Sequence, residues 1–138
     1  MTEKFSDQHR HAEGERVRAE VLGPSYAGSG KKDDPFYRHF YDFTTDHCWG
    51  NVWLRPGLDR KTRSMLNLAM LTAMGRWAEL EIHTLGALNN GVTEQAIAEI
   101  LLQAGVYAGL PVASEGFRTA FRVIEKHRQS LTPCGSAG

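Results

Sequence analysis

The chain has 138 residues, with 16 Lys and Arg balanced by 16 Asp and Glu, so its formal net charge is zero. That length supports one hydrophobic core rather than two, and the charge balance lacks the basic footprint of a nucleic-acid binder. No apolar run reaches the roughly 20 residues of a bilayer span, the polar start has no h-region to direct export, and two distant cysteines, Cys48 and Cys134, suit a reducing cytoplasm better than a disulfide framework.

The hydrophobic spacing predicts helices almost throughout, with no strand alternation and no useful repeat, so the expected class is all-α. Residues 1–12 read as a flexible arm. Glu13 to Leu22 reads as a short amphipathic helix with Val17 and Val21 on one side, closed by Gly23-Pro24. Residues 28–34 form a polar Gly/Ser/Lys loop, and Asp34-Pro35 supplies a cap and a first-turn proline for the next helix. That helix carries Phe36, Phe40, Phe43 and His47 at helical spacing, a stripe expected to pack into the core. Asp59 caps a helix from Arg60 to Met74, stopped by Gly75. Its second half is apolar on almost every side and is expected to be buried all round, in the core or partly against another subunit.

The following helix, about Trp77 to Asn89, stops at Asn90-Gly91. Thr93 caps another, with Ile97, Ile100, Leu101, Ala104 and Tyr107 as its buried stripe and Gly109 as its end. Pro111 opens a last amphipathic helix through Phe117, Phe121 and Ile124, and residues 131–138 read as disordered. The whole is expected to be a single domain over residues 1–138.

The densest chemistry lies in Arg76-Trp77-Ala78-Glu79-Leu80-Glu81-Ile82-His83. Glu79 and His83 are four apart and therefore share one helix face. A carboxylate can orient the imidazole and raise its basicity, which makes a proton-transfer pair near neutral pH. The same spacing also occurs on plain solvated faces, so the pair alone leaves both readings open. The other histidines, including His9, His11, His39 and His47, match no ligand spacing such as His-Glu-x-x-His, and no metal is expected.

More specific is the succession of segments. Trp49-Gly50-Asn51-Val52-Trp53-Leu54-Arg55-Pro56-Gly57-Leu58 leads into Asp59-Arg60-Lys61-Thr62-Arg63-Ser64. Then come Glu79 to His83, Leu88-Asn89-Asn90-Gly91-Val92-Thr93, and Val106-Tyr107-Ala108-Gly109-Leu110-Pro111. In this order they resemble the carboxymuconolactone decarboxylase family, the decarboxylase branch of the alkylhydroperoxidase D-like superfamily, over about residues 15–125. The resemblance implies an all-α alkylhydroperoxidase D-like fold assembling as a homotrimer or homohexamer. It implies decarboxylation of γ-carboxymuconolactone to 3-oxoadipate enol-lactone, in the protocatechuate branch of aromatic catabolism. The lactone takes up the electron pair left by CO2, so no pyridoxal, thiamine or metal cofactor is required.

On that resemblance the proton-transfer residues are Glu79 and His83. His83, with an ordinary pKa of about 6.5, is the expected acid and Glu79 its support; the reverse assignment stays open. Arg55 is a candidate to seat a substrate carboxylate through its guanidinium fork, or else a surface ion-pair residue. Trp49, Trp53 and Tyr107 either wall the pocket or serve the fold, and Arg76 and Leu85 flank the pair as further substrate-binding candidates. The superfamily's thiol peroxidases carry cysteines where this chain has Arg76 and Glu79, and a glutamate where it has Ser64. Without paired thiols that chemistry has no nucleophile and no resolving partner. Leu85 stands where the decarboxylases commonly have a cation, and Glu81 where a basic residue often sits. The substrate can therefore be less charged or bulkier than the family's. A different β-keto or vinylogous acid, or a non-catalytic binding role on the same scaffold, are the alternatives.

Overall fold

The computed structural model describes residues 7–27 and 30–133. All regular structure among them is helical: α1 (Asp7–Leu22), α2 (Pro24–Ala27), α3 (Tyr37–Thr44), α4 (Arg60–Ala73), α5 (Trp77–Asn89), α6 (Glu94–Ala108) and α7 (Leu110–Leu131). Short 3₁₀ turns cover Gly30–Asp33 and Val52–Leu54, and a π-helical turn covers Thr45–Trp49. No described helix is long and apolar enough to cross a membrane. The chain divides into two compact units, residues 1–63 and 64–138, with the division inside the first turn of α4.

In the first unit α1 packs against the π-helical turn and the Val52–Leu54 turn. The approach is close enough to dictate glycine. A Cβ on Gly14 would collide with the Thr45 carbonyl and the Gly50 nitrogen, and one on Gly50 would lie 2.5 Å from the Arg10 carbonyl. Val17 and Val21 are fully buried on the inner side of α1. The helix begins at Asp7, six residues before the expected start at Glu13, so the described part of the arm is ordered. His11 explains the extension: its Nδ1 lies 2.7 Å from Asp46 Oδ1, and its Nε2 faces Glu15 at 3.4 Å.

Asp34 caps as expected, its Oδ1 accepting from the Phe36 and Tyr37 amides at 2.9 and 3.0 Å. The aromatic stripe that follows does not join a core. α3 buries no residue, and Phe36 is 85% exposed, with Phe40 and Phe43 also open. Spacing put Phe40 and Phe43 on one helix, while Phe36 lies just ahead of it and His47 in the π-helical turn after it; what lies opposite that face is a tertiary matter, and nothing in the described chain covers it.

The second unit is built on apolar burial. Leu68 of α4, Leu80 and Ala87 of α5, Val92 just ahead of α6, Ile97 and Leu101 of α6, and Ala120 and Ile124 of α7 form one cluster. α7 lies along both α5 and α6, with Gly116 in close contact with Thr72 and Leu101. The expected stops hold: Gly75, Gly91 and Gly109 all have positive φ, which glycine adopts without strain. Thr93 Oγ1 accepts from the Ala96 amide at 3.1 Å and caps α6. Two expectations fail. α4 is not buried all round: Ser64, Leu68 and Thr72 face inward, while Leu66, Met70 and Met74 line an exposed face. Tyr107 does not continue the buried stripe of α6, because it stands 84% exposed in the last helical turn. Of residues 131–138, expected to be disordered, Leu131 instead ends α7, and residues 134–138 lie outside the described residues, as do residues 1–6.

Candidate active site

The second unit holds the Glu79/His83 pair. Arg76 adopts extended geometry just ahead of α5, and its carbonyl accepts the Leu80 amide at 2.9 Å, so the helix starts there. Glu79 falls in the first turn, where a carboxylate suits the positive end of the helix dipole. It is exposed, whereas His83, one turn later, is half-buried. Leu80 and Thr84 on the inner side are fully buried, and the Thr84 hydroxyl is satisfied by donating to the Leu80 carbonyl at 2.6 Å. These two contacts fix the rotation of α5 and hence the direction of its Glu79/His83 face.

One residue at this face went unread in the sequence. Asn67 of α4 brings its amide nitrogen to 3.4 Å from His83 Nδ1. The available signal was its polarity: with Thr72 it breaks the apolar run of residues 65–74. With the Asn67 amide donating, the ring proton lies on Nε2 and that N–H is the donor His83 can offer a ligand. Ser64, fully buried, accepts from the Asn90 side chain at 2.9 Å and ties the end of α5 back to α4. Burial pushes the His83 pKa below the ordinary histidine value, and the opposing attraction of the Glu79 carboxylate is the smaller effect. The pair's basicity is therefore not raised overall, contrary to the expectation from spacing alone, because desolvation penalises the imidazolium more than one carboxylate compensates.

Among the remaining candidates, Leu85 is half-buried on α5 and Arg76 is exposed at its start. Tyr107 is exposed on α6, as noted. Arg55, Trp49 and Trp53 belong to the first unit. The two indoles are buried and stacked, with centroids 4.8 Å apart and planes 21° apart, so each supports the other. The Arg55 side chain is exposed, and its carbonyl accepts from the Arg63 guanidinium at 3.0 Å. Cys48, beside them, is a free thiol whose pKa burial pushes up. No cluster of three His, Cys, Asp or Glu side chains arranged for a metal occurs among the described residues.

The sequence model of the carboxymuconolactone decarboxylase family matches residues 38–122. A nitrosuccinic acid decarboxylase of Metarhizium robertsii is 47% identical over 113 residues, covering 81% of this chain and 79% of the relative. The 4-carboxymuconolactone decarboxylase of Acinetobacter baylyi is 38% identical over 122 residues, covering 88% and 91%. An uncharacterized 15.0 kDa protein of Paracoccus denitrificans is 35% identical over 74 residues, about half of each chain.

Proposed function

The chain belongs to the carboxymuconolactone decarboxylase family and is a decarboxylase, and from that premise we propose that it acts without a cofactor on a small dicarboxylic acid that carries its own electron sink. The two named relatives suggest this chemistry. In nitrosuccinic acid one carboxylate sits on the carbon that bears the nitro group. When its C–C bond breaks, CO2 departs and the electron pair moves onto the nitro oxygens as a nitronate. In 4-carboxymuconolactone the conjugated lactone carbonyl accepts the pair as a dienolate. In either case the protein must offer hydrogen-bond donors to the developing oxyanion and then a proton to carbon.

The observation that carries this reading is His83, held beside Asn67 and kept neutral at rest by burial, with Glu79 one turn away. A neutral imidazole presents Nε2–H to the substrate without the cost of a buried charge. As CO2 leaves, negative charge grows next to the ring, adds to that of Glu79 and draws a proton onto it. The imidazolium so formed protonates the carbanionic carbon and returns to neutrality. Glu79 is the carboxylate through which the proton is replaced from solvent. Arg76, three residues before Glu79, borders this face and is the side chain proposed to help set which acid fits, whereas Leu85, two residues past His83, lies on another side of α5.

We take an α-nitro acid of the nitrosuccinate type as the first substrate, supported by the 47% identity. The second reading is 4-carboxymuconolactone in aromatic catabolism, supported by the near full-length match to the Acinetobacter enzyme. Copies of the chain are proposed to assemble as a trimer or hexamer, which would cover apolar faces such as Leu66, Met70 and Met74. The test is CO2 release from nitrosuccinate and from freshly generated 4-carboxymuconolactone by chelator-treated protein. Turnover of either acid supports the mechanism and ranks the substrates. His83→Ala should lower kcat by about 100-fold or more with the far-UV circular dichroism unchanged. Failure of the folded protein on both acids, or full activity of His83→Ala, overturns the reading.

A further inference from the structure

Arg18 is the most unusual side chain of the first unit. It lies on α1 between the fully buried Val17 and Val21 and is itself only 6% exposed. Guanidinium groups are rarely taken out of water without an anionic partner, because desolvation of the charge is costly. Here Nη2 donates to Thr44 Oγ1 at 2.7 Å, and the Thr44 hydroxyl spends its own proton on the Tyr41 carbonyl at 3.0 Å. The Tyr41 ring centre lies 4.4 Å from the guanidinium carbon and the Trp49 ring 5.9 Å from it. Aromatic faces offset part of the lost hydration but carry no net charge. Nη1 is buried with no hydrogen-bond partner, and no carboxylate pairs with Arg18 among the described residues. Cys48 does not fill that place, since burial holds its thiol in the neutral form against the opposing pull of Arg18.

We propose that Arg18 is the cationic seat of a small-carboxylate site in the first unit, with Nη1 donating to a carboxylate oxygen of the ligand. The planar fork and the flat wall of stacked Trp49 and Trp53 favour a planar oxyanion over a spherical one. The ligand class, a small dicarboxylic acid, rests on the reading above of the acids this chain handles. The site itself rests on the orphaned guanidinium alone. Tyr41 is the side chain that yields to the incoming anion. It is half-buried, and its hydroxyl is tethered by one exposed 3.3 Å bond to Glu15.

The experiment is thermal unfolding of the full chain with succinate, an unreactive dicarboxylate, and with sodium chloride at matched ionic strength. It is run on the wild-type protein, Arg18→Met and Arg18→Lys, with tryptophan fluorescence followed in parallel. Succinate at about 100 times its Kd should raise the wild-type Tm by roughly 5–10 °C, and should change the emission of the Trp49/Trp53 pair. Arg18→Met keeps the apolar stem and should lose the succinate response while unfolding within a few degrees of wild type. Arg18→Lys keeps the charge without the fork and should retain a weaker response, which serves if Arg18→Met does not fold. A wild-type Tm unmoved by succinate, an equal shift in Arg18→Met, or a chloride effect as large as that of succinate would overturn the site. A succinate response lost in Arg18→Met, together with no turnover of either acid, keeps the site and overturns only the proposed substrate.

Discussion

In the second unit α4 to α7 close on a single apolar cluster, and buried polar groups such as Thr84 and Ser64 find hydrogen-bond partners within the unit. In the first unit α3 buries nothing, two glycines let α1 press onto a turn, and the tie between α1 and the segments that follow runs through His11, Asp46, Arg18 and Thr44. Apolar burial is non-directional, so the second unit closes by packing, and what it leaves buried without a hydrogen-bond partner are neutral hydroxyls, Thr72 Oγ1 and Thr119 Oγ1. Polar pairing is directional, and the first unit leaves atoms of charged groups, Arg18 Nη1 and Asp42 Oδ1 among them, buried without a hydrogen-bond partner. A ligand is therefore best sought in the first unit where charge is unmet, and in the second where His83 reaches the surface.

The largest effect that tests this contrast is Leu101→Ala. The side chain is fully buried in the cluster, so its loss should cost about 2–5 kcal/mol by urea unfolding; less than about 1 kcal/mol would mean that burial is not what holds the second unit. Next comes Gly14→Ala, where backbone atoms of Thr45 and Gly50 must move to admit the methyl group. Overpacking of this kind costs about 1–3 kcal/mol. Hydrogen exchange should speed up in α1 and leave α6 unchanged, and equal loosening of both helices would erase the distinction between the units.

Thr93→Ala should cost about 1 kcal/mol, since it removes the acceptor for the Ala96 amide at the start of α6. The smallest effect is the pH dependence from His83. Its pKa is depressed in the folded state, so below an ordinary value of about 6.5 the unfolded chain takes up a proton that the folded chain resists. This contribution is absent above that pH and lowers stability as the pH falls through it toward the folded value. His83→Gln should narrow the gap between Tm at about pH 7.5 and at about pH 5.5, and an unchanged gap would show that His83 is as hydrated as a surface histidine. The same depression keeps the imidazole neutral below the usual histidine range, so the acidic limb of kcat/KM should fall below about pH 6.5 if the neutral ring is the active form.

Helix positions were legible in the sequence because their signals act over one turn. Asp59 reaches the Thr62 amide at 2.7 Å, Thr93 reaches Ala96, and each stop glycine takes its own positive φ. The Glu79/His83 pairing was legible for the same reason, since four residues on a helix fix a shared face. The early start of α1 was not, because it depends on a hydrogen bond between His11 and Asp46, 35 residues apart. The sign of the His83 shift was not either, since burial comes from neighbours brought in by the fold. Asn67 and Arg18 looked like ordinary polar residues on amphipathic helices until tertiary packing set one against an imidazole and enclosed the other.

By itself, then, the sequence determined the all-α class, the helix boundaries from Arg60 onward, the family and the carboxylate–histidine pair. All of these follow from contacts within a few residues or from motif order. Only the tertiary structure decided which apolar faces stay exposed on α3 and α4, that burial lowers the His83 pKa, and that a guanidinium lies buried with no counter-ion among the described residues. Each of those depends on desolvation, and the loss of water around a group is set by whatever the fold places opposite it.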